Sequence, residues 1–102
     1  MNQAHLLAQV KKMQAEMAAA QEELASTVVS GSAGGGTVTV EATCDQRVKS
    51  VKISVEAVDP QDVETLEDLV AIAVNDALAK SVEASQKRMA SVTGGIKIPG
   101  LM

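Results

Sequence analysis

Two segments in the middle of the chain alternate apolar and polar residues, and a period of two is typical of half-buried β-strands. The first covers about residues 37–44 and the second about residues 48–55. The short polar segment Asp45–Arg47 can connect them as an antiparallel hairpin. One face of this hairpin is therefore predicted to be buried, and its residues are Val38, Val40, Ala42, Cys44, Val51, Ile53 and Val55.

A further strand is predicted upstream, over about residues 27–33, where Val28 and Val29 are β-branched. The segment Gly34–Gly36 follows this strand directly. Glycine readily adopts the positive φ angles that a tight reversal requires, so this segment can turn the chain into the next strand. The three segments together predict a three-stranded antiparallel sheet.

Long helical patterns flank the predicted sheet. Residues 3–25 contain good helix formers and neither glycine nor proline. Residues 60–91 form the second predicted helix, with Asp59 as its N-cap, Pro60 at its first position and Thr93-Gly94-Gly95 as its stop. Both helices carry an apolar stripe. The stripe of the first helix is Leu6, Val10, Met13, Met17, Ala20 and Leu24, and that of the second is Leu66, Leu69, Val70, Ala73, Val74, Ala77 and Leu78.

These elements predict one α+β domain over residues 1–102, with a long N-terminal helix, the sheet and a long C-terminal helix. The first helix would be on the order of 33 Å long, so part of it must project beyond the sheet. The small Ala73 and Ala77 are expected to let a partner helix approach closely. Residues 92–102 form a tail whose apolar end, Ile96–Met102, would dock on a neighbour or remain loose.

The composition leads us to expect a homodimer in a reducing compartment. The chain contains no Phe, Trp or Tyr, so its core lacks the large contact areas of aromatic rings, and a homodimer is expected to bury more surface. The single cysteine, Cys44, excludes an intrachain disulfide and fits a reducing compartment. No signal peptide and no membrane-spanning stretch are recognised. We therefore expect a cytoplasmic protein without a membrane partner.

The net charge of −4 hides an uneven distribution of charges. Between Asp59 and Asp76 there are six acids and no Lys or Arg. Residues 1–15 and 77–102, which are expected to lie at the free ends of the two helices, carry six cations and one acid, a net charge of +5. Local positive charge of this kind supplies sequence-independent affinity for nucleic acid. A mixed, solvated helix surface is the plainer interpretation of the same charges.

The remaining candidate chemistry is sparse. His5 and Cys44 are the only residues of their kinds and have no neighbours at metal-ligand spacing. The segment Gly31–Gly36 lacks the Lys-Ser/Thr pair of a phosphate-binding P-loop and leads into a strand. We therefore predict no catalytic residue, no metal, no cofactor and no small-molecule substrate. His5 is expected to be exposed and Cys44 to lie in the core.

The residue types also restrict how nucleic acid could be bound. Base stacking is excluded because the chain has no aromatic residue. Lys outnumbers Arg seven to two, so bidentate reading of guanine is not expected to dominate. The mode of binding that remains is contact with the sugar-phosphate backbone of a DNA duplex. Arg47, Lys49 and Lys52 form either a secondary patch near the second hairpin or a surface that serves solubility alone.

Four segments follow one another along the chain, and they are the Gln- and Met-rich first helix, Gly31–Gly36 followed by Val38, the acidic helix with Leu66–Val70 and Ala73–Ala77, and the ending from Thr93-Gly94-Gly95 to Pro99-Gly100. Together, in this order, they resemble the YbaB/EbfC family of bacterial nucleoid-associated proteins over essentially the whole chain. The resemblance implies a tweezer-like homodimer whose helical arms project from a joined sheet. It also implies binding to double-stranded DNA, altered DNA conformation, and roles in nucleoid organisation and gene regulation.

The charge distribution places the predicted DNA contacts at the arm tips. An alternative of a different class is a helical protein–protein interaction module without meaningful DNA affinity, which would use the apolar stripe and the tail. A steep loss of affinity with salt distinguishes the first interpretation from the second. The predicted DNA-binding residues are Lys11, Lys12, Lys80, Lys87, Arg88 and Lys97.

Overall fold

A computed structural model describes residues 3–94. Its elements are α1 (Gln3–Ser26), β1 (Val28–Ala33), β2 (Val38–Thr43), β3 (Arg47–Ile53) and α2 (Val63–Thr93), with short 3₁₀ turns at Gly34–Gly36 and Val55–Ala57. The three strands form one antiparallel sheet in the order β1-β2-β3. The predicted α+β order is confirmed. The predicted tail from Ile96 to Met102 and the predicted contact Lys97 lie outside the described residues.

The core lies between α2 and one face of the sheet. Val38, Val40 and Ala42 of the central strand are fully buried, as their alternation predicted. Ala73 and Ala77 face them from α2. The predicted apolar stripe of α2 is therefore confirmed as the side of this helix that packs on the sheet.

The two alanines permit the close approach of a strand. The prediction that they allow a partner helix to approach is therefore wrong. Gly31 of β1 lies directly beneath them. A Cβ atom at Gly31 would lie 2.3 Å from the backbone nitrogen of Ala77 and 2.6 Å from the backbone oxygen of Ala73. Both sides of this contact need small residues because the backbones of α2 and β1 nearly touch.

Two turns depend on positive φ angles. Gly34, Gly35 and Gly36 have φ angles of 62°, 69° and 94°, which confirms the predicted reversal between β1 and β2. The β2–β3 hairpin uses Gln46, with a φ of 68°. The register of β2 and β3 shifts between Glu41 and Ala42.

The second helix begins at Val63, three residues later than predicted, and Asp59 is not its N-cap. The N-cap is Asp62, whose carboxylate accepts hydrogen bonds from the backbone nitrogen of Thr65 at 3.3 Å and from its hydroxyl at 2.6 Å. Asp59 instead accepts a bond from the backbone nitrogen of Gln61 at 2.9 Å. Either aspartate satisfies the capping rule, and the two bonds to Thr65 select the later one.

Strand β3 departs most from prediction. It ends at Ile53, and Val55 lies in the following 3₁₀ turn with 86% of its surface exposed. The register places Val48, Val51 and Ile53 on the same face as the buried residues of β2, yet each is more than 40% exposed. The cause is that α2 covers β1 and β2 and makes few contacts with β3. We call these three side chains the β3 apolar face.

The molecule is elongated because α1 extends beyond the sheet. Its radius of gyration is 19.6 Å and its extents are 71, 27 and 16 Å, whereas a compact chain of this length has a radius of about 13 Å. In α1 only Ala20 and Leu24 are buried, while Leu6 and Val10 are about half exposed. The predicted projection is confirmed. Across residues 3–94, no helix is both long and apolar enough to cross a membrane.

Candidate nucleic-acid interface

The joint between α1 and the sheet aligns the two helices. The backbone nitrogen of Cys44 donates to the carbonyl oxygens of Leu24 at 3.0 Å and Thr27 at 2.9 Å, which ties the end of α1 to the end of β2. On the α2 side, the buried Ser81 hydroxyl donates to the carbonyl oxygen of Thr43 at 2.8 Å. Beyond Ser81, α2 therefore leaves the sheet at the place where α1 reaches it.

From this joint the two helices run side by side in opposite directions. Arg88 of α2 contacts Glu23 of α1, with 2.5 Å between Nε and Oε2. The free ends of both helices thus lie on the same side of the sheet, as the charge argument required. We call the paired helices the arm. An open groove of about 410 Å³ lies between them, and its lining residues are Glu23, Leu24, Thr27, Ala84, Lys87, Arg88 and Ser91.

Lys11 and Lys12 lie on the projecting part of the arm. Both are exposed, and neither forms an ion pair with any of residues 3–94. The eleven residues from Lys12 to Glu23 place the lysine about 17 Å further out along the helix than the Arg88 contact. Lys11 and Lys12 therefore carry exposed positive charge that no acid among residues 3–94 pairs with.

Lys87 and Arg88 lie near the base of the arm, each beside an acid. The Lys87 ammonium is 3.3 Å from Glu83 one helical turn away, and the lysine side chain is 77% exposed. The Arg88 side chain is 40% exposed, and besides Glu23 it donates from one terminal nitrogen to the Ser91 hydroxyl at 2.8 Å. Lys87 is therefore readily accessible, whereas Arg88 already binds a carboxylate.

Lys80 does not lie on the arm. Its ammonium donates to the carbonyl oxygen of Ser30 at 3.1 Å and to the Asp76 carboxylate at 3.2 Å. Asp76 in turn accepts the backbone N–H of Ser32 at 3.1 Å. Strand β1 is an edge of the sheet, so this pair of side chains covers backbone groups along that edge, and we call it the β1 edge clamp.

The clamp changes the ionisation of Asp76. The backbone hydrogen bond from Ser32, followed by the hydrogen bond from Lys80, holds the pKa of the Asp76 carboxyl below its ordinary value. Both interactions favour the charged carboxylate. Lys80 is thus committed to the sheet body, where the charge argument had expected an arm residue.

Acidic side chains occupy the opposite end of the molecule. Leu69 of α2 lies against Gly34, so the preceding turns of the helix lie at the end of the sheet remote from the joint. Five acids precede Leu69 in this region, and they are Asp59, Asp62, Glu64, Glu67 and Asp68. Negative charge is therefore concentrated away from the arm.

The other candidate chemistry is structural. Cys44 is buried, as expected, and burial followed by the nearby Asp45 charge raises the pKa of its thiol. His5 is exposed on α1, and its Nε2 lies 3.4 Å from Gln9 Nε2. Residues 3–94 contain no group of three or more His, Cys, Asp or Glu side chains that could hold a metal ion.

Sequence patterns missed two acids that form ion pairs with predicted DNA-binding residues. The charge pattern places Asp76 in the acidic segment that begins at Asp59, although its spacing of four from Lys80 is the usual signal of an ion pair. Glu23 and Arg88 are separated by 65 residues, and no local pattern connects them. Only the alignment of the helices at the joint brings this second pair together.

Comparisons with known proteins show the family and the fold of this chain. The model of the YbaB/EbfC DNA-binding family matches residues 1–96. A nucleoid-associated protein of Chloroflexus aurantiacus is 47% identical over 97 residues, which cover 95% of this chain and 97% of that protein. One of Syntrophobacter fumaroxidans is 50% identical over 93 residues, covering 91% and 84%. The crystal structure of an uncharacterized Helicobacter pylori protein has the same fold, with a TM-score of 0.74, 22% identity and coverage of 89% and 95%.

Proposed function

The chain belongs to the YbaB/EbfC DNA-binding family, and from this premise we propose that it is a nucleoid-associated protein that contacts duplex DNA through its arm. The observation that carries the proposal is the pair Lys11 and Lys12, exposed on the projecting part of α1. Lys87 and Arg88 add positive charge at the base of the same arm. The edge-clamped Lys80 is left out of the proposed contact surface.

Binding is proposed to depend on phosphate contacts and to show little sequence preference. The arm offers lysines and one arginine and no aromatic side chain. Ammonium groups neutralise phosphates without distinguishing bases. The acidic end of α2 would repel DNA, so a duplex is directed to the arm and away from the sheet body.

We further propose that two copies associate through the β3 apolar face. The accessible surface of 7332 Å² exceeds the roughly 5,400 Å² typical of a folded monomer of this size. Val48, Val51 and Ile53 share the core side of the sheet but have no helix above them. A second copy would cover them, and the dimer would carry two arms that could hold a duplex and alter its conformation, in support of nucleoid organisation and gene regulation.

A salt titration tests the DNA-binding proposal. Fluorescence anisotropy of a labelled random-sequence duplex is measured with the wild-type protein at about 50 and 200 mM salt, where several phosphate contacts weaken binding by orders of magnitude. Replacing Lys11 and Lys12 with Gln should reduce the slope of log K against log salt by about 1.8, since each phosphate contact contributes about 0.9. The same replacement of Lys49 and Lys52 on β3 is the matched control, because it removes equal charge from exposed lysines of the sheet.

The outcomes separate the two functions. Binding that collapses with salt, and more so in the arm variant than in the control, supports the proposal. Equal losses in both variants would move the contact surface away from the arm. No binding by the wild-type protein at either salt concentration would instead favour a protein–protein interaction module, for which the exposed Leu6, Leu7 and Val10 of α1 provide an apolar surface.

A further inference from the structure

We propose that Glu23 is a built-in competitor for DNA phosphate at Arg88, and that it thereby sets the affinity and salt dependence with which the arm binds a duplex. The inference rests on the proposed DNA-binding function and adds a residue that weakens the interaction. The observation that suggests this inference is that the Glu23 carboxylate binds Arg88 in the place that a phosphate oxygen of DNA would take.

The geometry at Arg88 is that of an occupied oxyanion site. A guanidinium group presents several N–H donors in a fixed plane, and carboxylate and phosphate oxygens are both suitable acceptors. Here Glu23 Oε2 accepts from Nε at 2.5 Å, while the Ser91 hydroxyl oxygen accepts from a terminal nitrogen at 2.8 Å. A phosphate oxygen can bind the Nε–H only after Glu23 has left it.

The Glu23 carboxylate is accessible enough to be displaced. The side chains of Glu23 and Arg88 are 57% and 40% exposed, and both line the open groove of the arm. Water and salt screen an ion pair with this exposure, so the pair adds little to stability. A duplex phosphate, held nearby by Lys87 on the same groove, can therefore replace the carboxylate at small cost.

The other acid–cation pairs do not have this property. Glu83 and Lys87 lie one turn apart on the same helix, and the lysine can turn to solvent without breaking a contact between elements. Asp76 and Lys80 are both bonded to the backbone of β1. Within the described part of the chain, Glu23 and Arg88 are the pair that joins α1 to α2.

Removing the Glu23 charge should release Arg88 for DNA. From the interaction free energies typical of exposed pairs, we expect Glu23→Gln to bind a random duplex about two to five times more tightly at low salt. Because one more cation then contacts phosphate without competition, the slope of log K against log salt should steepen by about 0.9.

The experiment compares four variants with the wild-type chain by anisotropy at several salt concentrations. Glu22→Gln is the matched control, because it removes an equal charge from the neighbouring exposed position of α1. Arg88→Gln and the double variant Glu23→Gln/Arg88→Gln form a cycle in which the gain should disappear. Circular dichroism and thermal unfolding confirm that each variant is folded.

A gain in Glu23→Gln that exceeds the control and vanishes without Arg88 supports the inference. Equal gains in Glu22→Gln and Glu23→Gln would refute it, since net charge alone would explain them. Weaker binding by a folded Glu23→Gln would also refute it, because the pair would then be needed to hold the arm in its binding shape. If the wild-type chain and all variants fail to bind, the proposed function fails and this inference fails with it.

Discussion

Replacing Gly31 with alanine would place a methyl group between β1 and the backbone of α2. The glycine has no positive φ angle, so backbone conformation does not oppose the change. The lack of space does oppose the change, because the new Cβ would lie 2.3 Å from the Ala77 nitrogen and 2.6 Å from the Ala73 oxygen. Ordinary contacts lie near 3.5 Å, so α2 must withdraw by about 1 Å.

The withdrawal affects the whole core, since α2 is the helix that covers the buried side chains of β2. A gap of about 1 Å forfeits a quarter to a half of each dispersion contact, and overpacking of this kind costs up to about 3 kcal/mol. Exchanging glycine for alanine in a strand returns about 0.5–1 kcal/mol through lower backbone entropy in the unfolded chain. The expected net loss in the free energy of unfolding is about 2 kcal/mol, a fall in Tm of roughly 10 °C.

Thermal and urea unfolding, followed by circular dichroism at one fixed protein concentration, measures this loss. Ser32→Ala is the matched control, because Ser32 is a β1 neighbour on the opposite, exposed face of the strand. We expect it to remain within about 0.5 kcal/mol of the wild type. A Gly31→Ala variant as stable as the wild type would refute the reasoning, since β1 and α2 could not then lie at the distance described.

Three further predictions concern the dimer surface, the edge clamp and the helix cap. Val51→Asp/Ile53→Asp should convert a dimer to a folded monomer in light-scattering chromatography, whereas Ile72→Asp, an exposed position on α2, should not. The lowered pKa of Asp76 means that its contribution to stability is complete above the ordinary carboxyl pKa and is lost as the pH falls through the lowered one. The difference in Tm between the wild type and Asp76→Asn should therefore shrink below about pH 4, and a difference that does not depend on pH would contradict this assignment. Asp62→Ala should lower the free energy of unfolding by about 1 kcal/mol in urea titrations, and an unchanged midpoint would show that the cap contributes nothing.

Periodicity predicted the elements well because each pattern reflects a local requirement. Val38 and Val40 alternate because the central strand has one buried face, and the strand lies there. The predicted start of α2 is three residues too early because Asp59 and Asp62 are both good caps, and the choice between them depends on bonds to Thr65. The exposure of Val51 could not be predicted, since its alternation is the same whether a helix or nothing covers it.

Sequence patterns predict the candidate site only where the position of a charged residue follows from its own helix. The positions of Lys11 and Lys12 follow from a long helix that projects beyond the sheet, and the structure places both residues on the projecting part of α1. The charge argument predicts Lys80 on the arm because it follows the acidic segment, but α2 runs along β1 before it leaves the sheet, so Lys80 still contacts β1. The partnership of Glu23 with Arg88 depends on tertiary alignment and has no signal in the chain.

The β1 edge clamp has a consequence for how many copies can join. A sheet grows by adding a strand to an uncovered edge, and edges that carry charged side chains resist such growth. With the Ser30 carbonyl oxygen bound to Lys80 and the Ser32 N–H bound to Asp76, a further chain would extend this sheet more readily at β3 than at β1. If two copies paired their β3 edges, both outer edges of the joined sheet would be clamped β1 strands, so further strand addition would be disfavoured and the pair would not extend into a filament.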